Sequence, residues 1–324
     1  MNVEINALAV AGDKTRLHEI GDTVQALGLN PRLMLGTSFL PAAKLPYDLI
    51  LYDSSGDLGE FDALLEKVKR RTQVVVLLDE NCSLETRIDF FSRKNCNHVM
   101  KTDALWRKRL SVLCEKLISG DIFGIEKYLE RGDTVKYLRL EDYRGRSSAI
   151  DRMVEYAGKA RFRTVQRQQI AQVCEELLMN ALYNAPVDKN GEFLFAEVEP
   201  KKRLDMATPR PVSLRYAVSG DRFILSVRDR FGSLDKKRVT EYLIKCVRRA
   251  DQIDTKTSGA GLGLYLVANK ADEYVNNIAP GMATEAVAIF KRLEKNSGRG
   301  PANLGVFVHP GGGSVKVYSR KVGP

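Results

Sequence analysis

Residues 74–78 read Val-Val-Val-Leu-Leu, apolar at every position and flanked by stretches with helical spacing. A strand with no polar face must be covered on both sides, which predicts a parallel sheet sandwiched between helices. The rest of the N-terminal third fits that plan. Residues 6–11, 47–52 and 98–100 are further apolar strand-like runs. A helix-like stretch leads to about Leu27, and residues 61–69 and 84–93 have helical spacing. Residues 106–118 place Trp106, Leu110, Leu113, Cys114 and Leu117 on one stripe.

In such sheets ligands gather at the carboxyl ends of the strands. Three residues are expected there: Asp13, Asp53 and Lys101. Over about 115 residues this pattern resembles a response-regulator receiver domain. The resemblance implies that Asp53 is a phosphoacceptor, Lys101 the phosphoryl-contacting lysine and Asp13 one magnesium ligand. Gly12 stands where a second acidic ligand is expected, Leu78 and Asp79 where a hydroxyl is, and Thr102 where a proline is. Losing one carboxylate weakens a site for a hard cation, so a degenerate, non-phosphorylated receiver is the leading expectation. Both aspartates can equally be loop caps.

Gly120-Asp121 and Arg131-Gly132-Asp133 bracket a short helical piece, which predicts a linker over 119–132. Three signals follow. A long helix is predicted from about Thr164 to Asn184, with Ile170, Val173, Cys174, Leu177 and Ala181 on its buried face. Glu176 and Asn180, four apart, edge that face; such a pair can be surface decoration, but half-buried it needs partners. Next, residues 212–218 and 223–227 form a hairpin around Ser219-Gly220-Asp221-Arg222, and the second strand runs into Asp229, a pocket residue or a turn former. Finally Gly259, Gly261 and Gly263 alternate ahead of an apolar helix that includes Leu262. Glycines at a helix start let backbone N–H groups approach a phosphate. Neither a nicotinamide fingerprint nor a P-loop string is present.

Together, in this order, the signals resemble the GHKL ATPase fold over residues 133–293. Residues 271–290, with Gly281 at a turn, are similar to its closing hairpin. The resemblance implies ATP and Mg2+ as cofactors. In it Glu176 is the general base, Asn180 the magnesium ligand, Asn184 a further nucleotide contact and Asp229 the reader of the adenine amino group. Phe231 and Gly232 border the adenine, Gly259, Gly261, Leu262 and Gly263 cradle the phosphates, and residues 234–258 form a lid. One box departs: Asp229 is followed by Arg230, Phe231, Gly232 and Ser233 where D-x-G-x-G is usual. The departure bears on ATP affinity, not on the fold.

The expected fold is thus α/β with two domains: a doubly wound receiver-like domain over 1–118, a linker over 119–132, and an α+β sandwich of GHKL type over 133–324, with helices on one face of a mixed sheet. Ser147 and Ser148 are candidate caps for a helix over 149–160, and the strand-like run 304–309 has no assigned place. The layout looks closest to anti-sigma-factor serine kinases, which implies a cytosolic signalling protein that phosphorylates or sequesters a protein partner, such as an anti-sigma-factor antagonist or another regulator. A non-catalytic scaffold with two degenerate domains is the alternative. A histidine kinase is disfavoured, because the chain's His18, His98 and His309 include no acceptor box.

Composition narrows the remaining classes. No apolar run approaches a membrane span and the start, Met-Asn-Val-Glu, lacks a signal peptide's basic and apolar regions, so a cytoplasmic location without membrane is expected. The five cysteines form no C-x-x-C pair, which argues against zinc or a disulfide framework. Net charge is +10, yet the basic residues are scattered in small groups. A solvated surface or an acidic protein partner is expected ahead of nucleic acid, and a homodimer is compatible with the layout.

Overall fold

The computed structural model describes residues 5–37, 44–54, 57–69, 71–199, 202, 207–250, 262–292 and 301–309, with main chain alone at 246–250 and 262. The first half alternates: β1 (Ala7–Ala11), α1 (Lys14–Gln25), β2 (Arg32–Leu35), β3 (Leu49–Asp53), α2 (Leu58–Lys67), β4 (Gln73–Leu78), α3 (Leu84–Ser92), β5 (Cys96–Lys101) and α4 (Trp106–Ser119), all but β2 lying where the sequence pattern predicts an element. Strands pair in parallel in the order β2-β1-β3-β4-β5. The second half holds β6 (Lys136–Asp142), α5 (Arg144–Lys159), α6 (Thr164–Met179), β7 (Ala207–Ser219), β8 (Arg222–Arg228), α7 (Lys236–Ala250), α8 (Leu262–Lys270), β9 (Glu273–Ala279) and β10 (Ala283–Lys291).

Two separate sheets were expected; there is one. The final strand, β11 (Asn303–Val308), runs antiparallel to β5 and parallel to β9 and joins the halves into a mixed sheet of eleven strands. This is the run with no assigned place in the sequence. Its apolar residues Leu304, Val306 and Phe307 are buried, so the seam is core rather than surface. Arg87 of α3, fully buried, donates to the Pro301 carbonyl just before β11. Arg109 of α4 pairs with Asp103 at 2.6 Å and with Glu273 of β9 at 3.2 Å.

The core is equally continuous. One cluster on one face takes in Phe61, Phe90 and Phe91 from the first half together with Met153, Ile170, Val239 and Val267 from the second. The opposite face is covered by α1 and α4 in the first half. In the second half it is covered by the segment expected to be a linker. A 3-10 turn, Ile125–Tyr128, buries Ile125 and Tyr128 against Ala217, Ile224, Val287 and Ile289. Burying each of these large side chains contributes about 1.5–3 kcal/mol. Residues 119–132 are therefore part of the core packing, not a tether.

Local departures have local causes. The helix expected from residue 149 begins at Arg144, so Ser147 and Ser148 lie inside it, and Asp142 Oδ1 accepts from the Gly145 N–H at its start. The helix expected to run to Asn184 changes character at Asn180: residues Asn180–Asn184 form a π-turn in which the Ala185 N–H reaches the Asn180 carbonyl. Inserted π-turns are frequent at functional sites. Among the described residues no helix is long and apolar enough to cross a membrane.

Candidate functional site

Asp53 ends β3 and Asp13 caps α1, its carboxylate accepting from the Arg16 N–H at 2.9 Å. Both line a cleft of about 370 Å³ at the strand ends, with Gly12, Ser54, Asp79 and Thr102. Its central contact was not foreseen. Arg16 Nε donates to Asp53 Oδ1 at 3.1 Å, while Arg16 Nη1 reaches Glu19 at 2.6 Å. Arg107 also binds Glu19, and the two guanidinium groups lie on Trp106, 4.8 and 5.3 Å from its centroid. Burial pushes the Asp53 carboxyl above its ordinary range, and the Arg16 hydrogen bond and charge oppose that shift.

Lys101 is not part of this cleft. Asp53 sits opposite Leu77 across the β3–β4 ladder, whereas Lys101 sits opposite Leu78 across β4–β5. Adjacent positions on a strand point to opposite faces, so Lys101 leaves on the other side. Burial lowers its ammonium's pKa, as does the Arg87 charge. Arg16 is the cation that meets Asp53 instead. Nothing in spacing announces this, because the partners are 37 residues apart.

In the second half, three elements meet at one corner. Glu176 lies near the end of α6, half-buried, with burial raising its carboxyl above the ordinary range. Asn180 opens the π-turn; its Oδ1 accepts from Asn184 Nδ2 at 2.8 Å, and its own buried Nδ2 has no partner among the described residues. Asp229 follows β8 and is buried, its Oδ1 accepting from the N–H groups of Phe231 at 2.7 Å, Gly232 at 3.1 Å and Thr284 at 3.2 Å. Burial raises the Asp229 carboxyl, against those same hydrogen bonds and the Thr284 side chain. None of the three reaches Oδ2.

The turn after Asp229 is sterically constrained. Gly232 has φ +63, and a Cβ there would fall 2.2 Å from the Ala279 carbonyl oxygen, so glycine is demanded twice over. Phe231 is buried, with the Arg210 guanidinium 5.2 Å from its ring centroid. Ser233 Oγ donates to the Ala185 carbonyl at 2.8 Å, which ties this turn to the end of the π-turn. Gly263, in the first turn of α8, lies directly against the Glu176 carboxylate. Gly259, Gly261, residues 251–258 of the expected lid and the Leu262 side chain lie outside the described residues, while residues 236–250 of that lid form α7. Arg210 and Ser233 were missed in the sequence; Ser233 at least follows the Asp229 turn directly.

His98 is buried, its pKa lowered to about 3 by burial and by the charges of Lys116 and Lys236. His18 Nδ1 lies 2.6 Å from the Lys14 carbonyl of its own helix. Among the described residues, no group of three or more His, Cys, Asp or Glu is placed to hold a metal ion.

No family model matches the chain, and no curated protein matches it. Among solved structures, a chain of the SiaB–SiaC complex from Pseudomonas aeruginosa is similar at 14% identity, across 56% of this chain and 99% of that chain, with a TM-score of 0.32. A likeness that remote carries no argument about activity or partner.

Proposed function

We propose that the chain is a cytosolic signalling protein of GHKL type that binds Mg-ATP at the corner between α6, the turn after β8 and the start of α8, and that it phosphorylates or sequesters a protein partner. The observation that supports this reading is the meeting of the three motif-bearing elements: Ser233 bonded to Ala185, and Gly263 seated against Glu176.

The groups at this corner suit such a ligand. A half-buried carboxylate and a buried amide Nδ2 without a partner are polar groups left for something outside the fold, and Asp229 Oδ2 takes none of the three backbone N–H groups. Bound Mg-ATP would supply the transferable phosphoryl group. Asp229 would hold the adenine amino group through Oδ2, its orientation set by the three hydrogen bonds on Oδ1. Asn180 and Asn184 would hold the magnesium side. Glu176 would take the proton that a partner's hydroxyl gives up, and its raised pKa makes it the stronger base. Phosphoryl transfer otherwise depends on positioning and charge neutralisation, which rigid elements supply.

Calorimetric titration tests the reading. Mg-ATP is expected to bind the wild-type protein and to bind Asp229→Asn at least about tenfold more weakly, since one lost charge-assisted hydrogen bond is worth about 1.5–3 kcal/mol. Absence of binding to folded wild-type protein defeats it. A scaffold reading is favoured by one observation, the Arg16–Asp53 pair, which places a resident cation on the expected phosphoacceptor. ATP-dependent labelling of a captured partner separates the two, because a scaffold gives none.

A further inference from the structure

Gly263 is the second residue of α8, which begins at Leu262. A glycine inside a helix is less stable than an alanine, so its presence asks for a reason. The backbone gives none, because Gly263 is not among the residues of positive φ. The reason lies across the corner. A Cβ at position 263 would fall 2.2 Å from Glu176 Oε2 and 3.1 Å from its Cδ. The carboxylate occupies the space that any other residue would fill with its own side chain.

The helices cannot simply separate to make room. Leu264, Val267 and Ala268 of α8 and Ile170, Val173 and Leu177 of α6 are buried in one cluster. Lys270 Nζ donates to Gln172 Oε1 at the far end of the pair. The Glu176 carboxylate has no hydrogen bond or ion pair among the described residues. The yielding part is therefore the rotatable end of Glu176.

We propose that Gly263 is a positioning residue for Glu176: it contributes an absent side chain, and with it a crevice that holds the carboxylate, rather than a phosphate contact. What the positioning serves rests on the proposed function; the positioning itself does not. The three alternating glycines thereby divide, the third serving the carboxylate.

The experiment is a carboxyl NMR titration of the full chain labelled at glutamate, with Glu176→Gln assigning the resonance. In the wild type, Glu176 is expected to titrate above the ordinary glutamate range. In Gly263→Ala the carboxylate swings into water and its titration returns toward that range. An unchanged Glu176 titration in folded Gly263→Ala overturns the proposal. Should Gly263→Ala fail to fold, addition of Glu176→Ala is expected to restore folding, and continued unfolding overturns it. Kinetics add the arm that depends on the function. Mg-ATP affinity is expected to stay within about twofold while kcat for Mg-ATP hydrolysis falls about tenfold or more, as for a displaced general base. Loss of Mg-ATP binding in Gly263→Ala would overturn the proposal by showing a phosphate contact. A shifted titration in a protein whose wild type binds no Mg-ATP would defeat the proposed function alone and support the positioning.

Discussion

At the strand ends of the first half, the charged groups pair in a chain, with Arg16 Nη2 alone buried and unpartnered among its members. Asp53 has Arg16, Arg16 has Glu19, and Glu19 has Arg107, with Trp106 between the two guanidinium groups. At the corner of the second half they do not: Glu176 stands without a partner among the described residues, and Asn180 Nδ2 is buried without one. The first region is the open cleft and, by volume, the more obvious place for a ligand. Yet space is not demand. A polar group that the fold has already paired gains little from a ligand, while a desolvated group without a partner carries a penalty that a ligand can relieve. On the proposed function, the first site serves structure and the second takes the ligand.

The contrast can be broken most forcefully at Asp229, where one carboxylate oxygen serves three backbone N–H groups. Asp229→Ala is expected to cost about 2–3 kcal/mol, from buried donors left unmade, and Asp229→Asn much less; equal losses in urea unfolding would deny that the oxygen organises the turn. Next is Arg16. Its pair with Asp53 is largely but not fully buried, at 19% and 23% side-chain exposure. Arg16→Ala is expected to cost about 1–2 kcal/mol, between the values for surface and buried pairs. A double-mutant cycle with Asp53→Asn checks this, and a coupling near zero would remove the pair from the argument.

The seam supplies a pH test. Lys116 of α4 is fully buried, donating to Tyr128 Oη at 2.6 Å and Asn277 Oδ1 at 3.0 Å, with its ring contacts on Tyr128 and Phe307. Burial lowers its pKa to about 7, while Glu285 opposes the shift. Above pH 7 the unfolded chain holds a proton that the folded one has released, so stability rises with pH. The slope is at most about 1.4 kcal/mol per pH unit for one proton. Lys236, lowered to about 8 by burial, adds to the rise. Buried Cys96 and Cys114, both raised to about 12, oppose the rise once unfolded thiols ionise. Unfolding curves between pH 7 and 8.5 should therefore climb in the wild type and flatten in Lys116→Met; identical slopes would place the proton elsewhere. The smallest effect belongs to Glu176. Glu176→Gln removes a half-buried, unpartnered charge and is expected to stabilise the protein by a few tenths of a kcal/mol, about what partial exposure leaves of such a penalty. Destabilisation would reveal a partner for the carboxylate.

Much of this was legible residue by residue. The apolar run 74–78 required a doubly covered strand and became β4, buried from Val74 to Leu78. The stripe Ile170, Val173, Cys174, Leu177 and Ala181 is buried throughout, and Glu176 sits at its half-buried edge. The illegible parts share a cause. Lys101 was matched to Asp53 by position along the chain, but strand pleat decides which face a side chain leaves from, and one residue of offset reverses it. Arg16 reaches Asp53 across 37 residues. The glycine at 263 read as part of a phosphate-type string, because nothing local reveals what a Cβ would strike.

The sequence by itself determined most of the elements and the buried faces of the long ones, since period, propensity and turn chemistry act over a few residues. Only the tertiary structure decided that the two halves share one sheet. An apolar run such as Leu304–Phe307 declares that it must be buried, never beside which strands, and β5 and β9 were both available edges until the fold brought them to the same gap. The same holds for residues 119–132, whose glycines and charges mark chain turns while Ile125 and Tyr128 are drawn in by a sheet face that would otherwise stay wet. Neighbours far apart in the chain are chosen by the free energy of the whole packing, and no window of sequence contains that sum.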